Sequence, residues 1–375
     1  MKTSFLLLAA LMSSLFAASA RTIFCDDPKL VFAPYVWLQS GSGVSARAEA
    51  TIPGAYLKAA FTGSRTVGII IDATGNAGGD PNTRPSVEWS VDYGPFQTEL
   101  IDRNAGVYTL PLAHDLAPDK PHRFEFYFKS ANLSEHRWTA STAHLRPAGL
   151  ALDDGGSLVD CPRRGKLAIA YGDSITEGVG VEGLFSTWQS IGMNNALKTW
   201  VPLLASSLDC EYGQVGTSGF GVVKPIEIPP LTQSWDHYFE GHSRLQGGLL
   251  LPEPDYIFCN LGTNDTGFDV TANYIKWLTD MRKACPHSHF FCIVPLMGLQ
   301  RDKITAAVST RRSAGDLEVY LIDLAALEPG FHYTPAGTAF AYEGVHPSAY
   351  GQALFAAHLA IEVQKILDST AGARP

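Results

Sequence analysis

The order of hydrophobic and polar positions changes character near residue 160. Before that point, apolar residues alternate with polar ones in short stretches, as in residues 122–129, where Phe124, Phe126 and Phe128 fall on one face of a strand. Further strands are predicted over residues 48–62, 66–71, 86–93 and 106–112. Because turn-forming clusters interrupt this region and no strong helical period appears, the pattern predicts an all-β sandwich of the jelly-roll type.

After residue 160, apolar runs alternate with amphipathic segments. Strands are predicted over residues 167–171, 212–215, 255–261, 289–295 and 319–323, and helices over residues 274–284 and 347–367. In the last helix, apolar residues recur at spacings of four, four and three, from Phe355 to Ile366. This alternation predicts an α/β domain, a parallel sheet flanked by helices, following the sandwich.

A polar, glycine-rich connection over residues 153–165 marks the boundary between the two regions. We therefore predict a sandwich domain over residues 21–160 and an α/β domain over residues 161–375. Residues 220–254 are rich in proline and too long for a simple connector, so this segment is a candidate to fold over a site.

The first twenty residues have the composition of a secretory signal peptide. Lys2 precedes an apolar run over residues 5–16, and Ala18-Ser-Ala20 matches a cleavage site. The alternative, a membrane anchor, would need a longer apolar run. We expect residues 1–20 to be removed, which leaves a secreted, extracellular, monomeric protein with no membrane attachment.

Composition narrows the range of partners. The formal net charge of −9, without a Lys/Arg cluster, argues against nucleic acid and favours an uncharged substrate. Six cysteines in an oxidising compartment suggest disulfides, and Cys25 and Cys161 are candidates to close the first domain. Cys259 and Cys292 lie in neighbouring strand candidates and are alternatively buried thiols. The sequon at Asn132 is a candidate glycosylation site.

One serine stands where a nucleophile is expected in a parallel sheet. The apolar run 167–171 leads directly into Gly172-Asp-Ser174, which predicts a buried strand that ends in a sharp turn. Ligands of such sheets bind beyond the carboxyl ends of the strands. Backbone N–H groups that begin the next element are free to stabilise an anion there.

A serine nucleophile needs a base, and His346 lies in a loop just before the final helix. A neutral imidazole would take the hydroxyl proton and return it to the leaving alcohol. Glu343, three residues earlier, could orient this imidazole, and Asp323 is a weaker rival. Spacing alone leaves three other histidines open as the base: His237, His242 and His332.

Donors for an oxyanion hole are predicted after the next two strands. Gly216-Thr-Ser-Gly219 follows the second strand, and Gly262-Thr-Asn264-Asp follows the third. A glycine lets the backbone approach a ligand closely, and an asparagine side chain donates from its amide. Three polar loops that follow successive strands meet at one edge of a sheet.

These four blocks, in this order, resemble those of the SGNH (GDSL-type) hydrolase superfamily. The resemblance implies that Ser174 is the nucleophile and first oxyanion donor, and that His346 is the base. It further implies that Gly219, or Gly216 if the second block is displaced, donates its N–H, and that Asn264 donates its side-chain amide. No metal or organic cofactor is implied.

The chain departs from the superfamily at Glu343, where an Asp is usual. In one interpretation, Glu343 orients His346 and completes a catalytic triad. In the other, Glu343 takes no part, and Ser174 and His346 form a dyad in which a backbone carbonyl holds the imidazole. A β-sandwich before such a domain resembles carbohydrate esterase family 2. That resemblance implies a secreted enzyme that removes acetyl groups from acetylxylan or acetylated glucomannan through an acyl-enzyme.

Two other functions remain open at this point. A lipid or aryl esterase would use the same groups with a large apolar acyl pocket. A non-catalytic carbohydrate-binding protein would use aromatic residues of the first domain to stack on sugar rings, whereas strand aromatics are more often buried. The aromatic candidates are Trp37, Trp89 and Trp138.

Overall fold

The computed structural model describes residues 20–76, 84–102, 105–132, 137–139, 143–183, 191–224, 229–327, 340–343 and 345–371, with the side chains of residues 342, 343 and 371 excepted. The predicted signal peptide therefore lies outside the described residues, except for Ala20, which begins the first strand. His332 also lies outside them.

The first part of the chain forms two large antiparallel sheets and one separate sheet of two strands. Its strands are β1 (Ala20–Phe24), β2 (Val31–Phe32), β3 (Leu38–Ser40), β4 (Arg47–Glu49), β5 (Tyr56–Thr62), β6 (Val67–Asp72), β7 (Ser86–Val91), β8 (Gln97–Leu100), β9 (Val107–Ala113), β10 (His122–Ser130), β11 (Pro147–Asp153) and β12 (Ser157–Val159). The separate sheet pairs β3 with β4. One large sheet has the order β1-β11-β6-β9, and the other has the order β12-β5-β10-β7-β8, with β2 beside β5. The predicted phenylalanine face of β10 is fully buried between them.

The second part alternates strands with helices. Its elements are β13 (Lys166–Gly172), α1 (Ser174–Glu177), α2 (Trp200–Ser207), β14 (Cys210–Gly216), α3 (Leu231–Ser234), β15 (His237–Phe239), β16 (His242–Ser243), β17 (Leu245–Gln246), β18 (Leu249–Leu250), β19 (Tyr256–Asn260), α4 (Thr271–Ala284), β20 (His289–Ile293), α5 (Arg301–Ser313), β21 (Val319–Ile322), α6 (Leu324–Leu327), β22 (Ala341–Glu343), β23 (His346–Pro347) and α7 (Ala349–Ala371). The sheet order is β14-β13-β19-β20-β21, with every neighbouring pair parallel. None of the described helices is both long and apolar enough to cross a bilayer.

The two parts meet in an interface that combines shared apolar packing with buried charge. One continuous core includes residues of both sheets of the sandwich and of the parallel sheet. Among the described residues, three ion pairs cross the boundary, each with its cation on the sandwich side and its carboxylate on the α/β side. They are Lys58–Glu211 (3.1 Å), Lys129–Glu182 (2.8 Å) and Arg137–Glu177 (2.6 Å).

The cysteines correct the expectation of disulfides. All six are buried free thiols. Cys25 donates its S–H to the carbonyl of Pro147 at 3.1 Å, whereas Cys161 packs in a separate apolar cluster, so the predicted closure of the first domain is wrong. Cys259 and Cys292 are opposite one another on β19 and β20, in agreement with the alternative of buried thiols.

The structure also argues against a glycan at Asn132. This residue is only 2% exposed, and its carbonyl accepts a hydrogen bond from the Arg137 Nη2 group at 3.0 Å. A glycan is bulky and needs a surface position, so the predicted glycosylation site is not supported.

Candidate active site

Strand β13 delivers Ser174 to the carboxyl edge of the parallel sheet. Gly172 ends the strand, and a Cβ there would lie 2.0 Å from Thr176 Oγ1, so only glycine fits this turn. The carboxylate of Asp173 then caps α1 by accepting the N–H of Ile175 at 3.0 Å. Ser174 is the first residue of the helix, where backbone N–H groups have no intrahelical acceptor.

His346 reaches this serine from the opposite end of the domain sequence. Its Nε2 lies 2.9 Å from Ser174 Oγ, a hydrogen-bond distance. Burial lowers the pKa of the imidazole from 6.5 to about 4, because the charged form loses its hydration. The ring is therefore neutral near pH 7 and able to accept the serine proton.

Gln352 on α7 connects the helix that follows His346 to α1, the helix that begins with Ser174. Its Nε2 donates to the carbonyl of Ile175 at 2.9 Å, and its Oε1 accepts the N–H of Trp200 at 2.9 Å. Sequence reasoning missed this residue. A signal was present, since Gln352 is a polar residue three positions before Phe355, on the apolar stripe of the final helix.

The loop after β14 presents a second backbone donor. Gly219 adopts a φ of +78°, a conformation that favours glycine, and the preceding Ser218 is held by the carboxylate of Glu177. Within the described part of the chain, the N–H groups of Ser174 and Gly219 donate to no protein acceptor. Gly216 instead remains in β14, where a Cβ would lie 2.6 Å from the Glu177 nitrogen, so its glycine allows close packing.

The loop after β19 contributes an amide donor and a carboxylate that organises its surroundings. Asn264 Nδ2 donates to the carbonyl of Phe220 at 2.7 Å, which leaves its second N–H for a ligand. The buried carboxylate of Asp265 accepts three backbone N–H groups, a role that the sequence did not indicate. They belong to Val222 (2.8 Å), Val223 (2.9 Å) and Lys224 (2.9 Å).

Of the other candidate acids and bases, those that the structure describes are paired with neighbouring residues or exposed. Asp323 forms an ion pair with Arg301 at 2.5 Å. His237 is paired with its neighbour Asp236 at 2.7 Å, and His242 is exposed. The backbone of Glu343 lies opposite His346 in the β22–β23 pairing, whereas its side chain is outside the described residues. No cluster of His, Cys, Asp and Glu suited to a metal ion occurs among the described residues.

The aromatic candidates of the sandwich divide into two groups. Trp37 and Trp89 are 5% and 6% exposed, and each donates its indole N–H to a backbone carbonyl, so both are core residues. Trp138 is half-buried and lies at the boundary with the α/β domain. Its carbonyl accepts the N–H of Glu240 at 3.0 Å, and its ring lies 5.9 Å from the ring of His237.

Part of the segment 220–254 lies beside residues 217–219, the loop after β14 that we call the oxyanion loop because the sequence predicts an oxyanion donor there. Phe220 and His237 of this segment line a small pocket together with Thr217 and the sandwich residues Arg137 and Trp138. The segment therefore contributes one wall of a pocket at the domain boundary next to Ser218.

Comparison with known proteins gives one family match and several structures of similar fold. Residues 170–354 match the model of the GDSL-like lipase/acylhydrolase family. No curated protein sequence matches the chain. The fold is similar to that of a family two carbohydrate esterase from Cellvibrio japonicus, at 18% identity and a TM-score of 0.73, over 93% of this chain and 98% of that one.

Two further solved structures share the whole architecture. An acetyl xylan esterase from Butyrivibrio proteoclasticus is 16% identical, with a TM-score of 0.73 over 94% of this chain and 99% of that one. A family two carbohydrate esterase from Clostridium thermocellum in complex with cellohexaose is 20% identical, with a TM-score of 0.70 over 90% and 99% of the two chains. Identities this low establish the fold, and they confirm the predicted sandwich followed by an α/β domain of the SGNH type.

Proposed function

We propose that this chain, whose residues 170–354 match the model of the GDSL-like lipase/acylhydrolase family, is a secreted serine esterase that removes acetyl groups from plant cell-wall polysaccharide. The observation that carries the proposal is the 2.9 Å contact between His346 Nε2 and Ser174 Oγ. It lies at the carboxyl edge of the sheet, next to backbone N–H groups that have no protein acceptor in the described residues.

The proposed reaction proceeds in two steps through an acyl-enzyme. His346 takes the hydroxyl proton while Ser174 Oγ attacks the ester carbonyl, and the imidazolium then gives that proton to the departing sugar hydroxyl. The N–H groups of Ser174 and Gly219 and the amide of Asn264 stabilise the negative oxygen of each tetrahedral intermediate. In the second step, His346 takes a proton from a water that attacks the acetyl carbonyl, and the imidazolium returns that proton to Ser174 Oγ as the Oγ–acyl bond breaks and acetate leaves.

Three features support an acetylated polysaccharide as the substrate. The likeness to family two carbohydrate esterases extends over the sandwich as well as the catalytic domain. The net charge of −9 favours an uncharged polymer over a polyanion. The signal peptide predicted over residues 1–20 would deliver the enzyme to the extracellular space where such polymers are found.

The test combines one variant with a panel of substrates. Ser174→Ala should abolish acetate release from acetylated xylan and acetylated glucomannan without changing the circular dichroism spectrum. Ser207→Ala, which removes an exposed hydroxyl from α2, is the matched control and should retain full activity. Substantial turnover by purified Ser174→Ala would contradict the assignment of the nucleophile.

The same panel separates the other functions. Faster hydrolysis of 4-nitrophenyl octanoate than of 4-nitrophenyl acetate would favour a lipid esterase. Binding of xylan or glucomannan without any acetate release would favour a carbohydrate-binding protein.

A further inference from the structure

A buried ion pair connects the sandwich to the helix that begins with the nucleophile. Arg137 lies in the connection between β10 and β11, and its Nη1 is 2.6 Å from Oε1 of Glu177, the last residue of α1. Both side chains are only 3% exposed. The Nη2 group of Arg137 donates to the carbonyl of Asn132 at 3.0 Å, which holds the guanidinium in place.

The other oxygen of Glu177 holds the loop that presents Gly219. Its Oε2 accepts the backbone N–H of Ser218 at 2.7 Å and the Ser218 hydroxyl at 2.8 Å. Ser218 immediately precedes Gly219, so the peptide plane that aims the Gly219 N–H begins at a residue that Glu177 anchors. The carboxylate thus lies between a guanidinium of the sandwich and the proposed second oxyanion donor.

We propose that Arg137 is a positioning residue of the active site: it holds the Glu177 carboxylate against Ser218 and thereby aims the Gly219 N–H at the oxyanion. This inference rests on the proposed esterase function. Without the guanidinium, a buried carboxylate lacks its compensating charge and turns away from Ser218 or takes up a proton. The sandwich is then part of the catalytic site, because the α/β domain alone lacks this cation.

A second buried ion pair of the same interface provides a matched control. Lys58 and Glu211 are 3.1 Å apart, and their side chains are 8% and 7% exposed. Glu211 lies at the start of β14, whereas the oxyanion loop follows the end of that strand. Glu211 and Gly216, the last residue of the strand, are five positions apart along extended chain, about 16 Å. Loss of this pair weakens the same interface without a contact to the oxyanion loop.

The experiment compares Arg137→Met with Lys58→Met in the full chain, with 4-nitrophenyl acetate as the probe. We expect kcat of Arg137→Met to fall about 10- to 100-fold. A misplaced donor loses much of the transition-state stabilisation that is lost when the donor is removed altogether. Its KM should stay within about twofold, because an oxyanion donor acts mainly in the transition state. Lys58→Met should keep kcat within about twofold of the unaltered enzyme.

A double variant tests whether Arg137 acts through Glu177. In Glu177→Gln, the carbonyl oxygen of the amide faces Arg137 or Ser218 but not both, so kcat should fall. In Arg137→Met/Glu177→Gln, no charge needs a partner, and the amide oxygen is free to accept the Ser218 N–H. The double variant should therefore have a higher kcat than Arg137→Met, a non-additive result.

Two outcomes would overturn the inference while the unaltered enzyme stays active. The first is that folded Arg137→Met has the same kcat as Lys58→Met. If Arg137→Met does not fold, the first outcome is instead that Glu177→Gln has the same kcat as Lys58→Met. The other is a double variant no faster than Arg137→Met. Failure of the proposed function is distinguishable, because the unaltered enzyme itself would then release no 4-nitrophenol.

Discussion

The imidazole of His346 is neutral over a wider pH range than an exposed histidine, because burial lowers its pKa to about 4. In the proposed mechanism His346 must be neutral to accept the serine proton, so a lowered pKa extends activity toward acid pH. We expect kcat/KM for 4-nitrophenyl acetate to stay constant from pH 7 to about pH 5 and to fall with an apparent pKa of about 4. Tryptophan fluorescence at each pH serves as the control for unfolding.

The same measurement decides between the two interpretations of Glu343. A carboxylate beside the imidazole would stabilise its charged form and raise the pKa, and Glu343→Gln would then move the acid limb to lower pH. The dyad interpretation expects no movement of the limb and a loss of activity far smaller than the ~10⁴ observed when a strict triad acid is neutralised. A shift of the limb by a full unit or a loss near that size would refute the dyad.

Asp173 gives a second pH-dependent prediction at the residue scale. Burial raises the pKa of its carboxyl from 3.8 to about 6, so the folded state prefers the neutral form. The stability associated with this proton is present below pH 4 and is lost as pH rises through about 6. Asp173→Asn keeps an acceptor for the Ile175 N–H and does not ionise. We therefore compare the free energies of unfolding of Asp173→Asn and of the unaltered protein. The value for Asp173→Asn minus the value for the unaltered protein should increase by about 1–3 kcal/mol from pH 4 to pH 7.

Urea denaturation of both proteins at pH 4 and pH 7 measures this difference. Asp265→Asn is not a suitable control, because that carboxylate accepts three backbone N–H groups. Asp154→Asn, which makes the same substitution at an exposed position outside the core, is the matched control. An equal difference for Asp173→Asn at both pH values would mean that its carboxyl titrates normally.

The residues that the sequence could predict are those with a short, specific motif around them. Ser174 and Asn264 follow apolar strands directly, and His346 precedes a clear amphipathic helix. Arg137 and Glu177 could not be predicted as partners, because the ion pair depends on how the sandwich docks on α1. No local pattern in the sequence encodes that arrangement.

At the scale of elements, apolar runs located the strands of the parallel sheet within a few residues, whereas two of the four described helices with eight or more residues were missed. Helix α5 buries only Ile304, Ala307 and Val308 among many charged residues, so its apolar stripe is narrow. Helix α2 carries Pro202, which argues against a helix except in the first turn, where it lies. The predicted strand over residues 48–62 is divided into β4 and β5, because Gly54 between them has a φ of +97°.

Helix α7 provides the element-scale prediction. Gln352→Leu would leave the carbonyl of Ile175 and the N–H of Trp200 buried without a partner, at a cost of about 2–4 kcal/mol in the free energy of unfolding. The segment that carries His346 would also lose its bond to α1, so kcat should fall while the protein remains folded at low temperature. Gln364→Leu, at an exposed position of α7, is the control and should change neither quantity.

Urea denaturation and 4-nitrophenyl acetate kinetics at 15 °C measure the two effects separately. A stability loss without any change in kcat would show that α7 does not control the Ser174–His346 distance. In that case the β22–β23 pairing that contains His346 would have to hold the imidazole by itself.

At the scale of the whole molecule, the described residues of the two parts share one core and three buried or half-buried ion pairs, whose cations all come from the sandwich. Desolvation raises the pKa of the Glu211 carboxyl, but Lys58 and the hydroxyl of Tyr56 outweigh it, and the net pKa lies below 4.5. Glu182 behaves in the same way beside Lys129 and Lys198. These carboxylates stabilise the interface above pH 4.5, and that contribution is lost as the pH falls through their lowered pKa values.

An interface of this kind should make the chain unfold as one unit. We expect a single calorimetric transition at pH 7, with a van't Hoff enthalpy equal to the calorimetric one, since neither part can open without exposing shared core and unpaired charge. Lys58→Met should lower the midpoint temperature of that single transition. This substitution removes no apolar contact of the catalytic centre. Two separate peaks at pH 7, or a Lys58→Met midpoint unchanged from that of the unaltered protein, would instead describe two autonomous domains. The parallel sheet would then carry its esterase site without structural support from the sandwich.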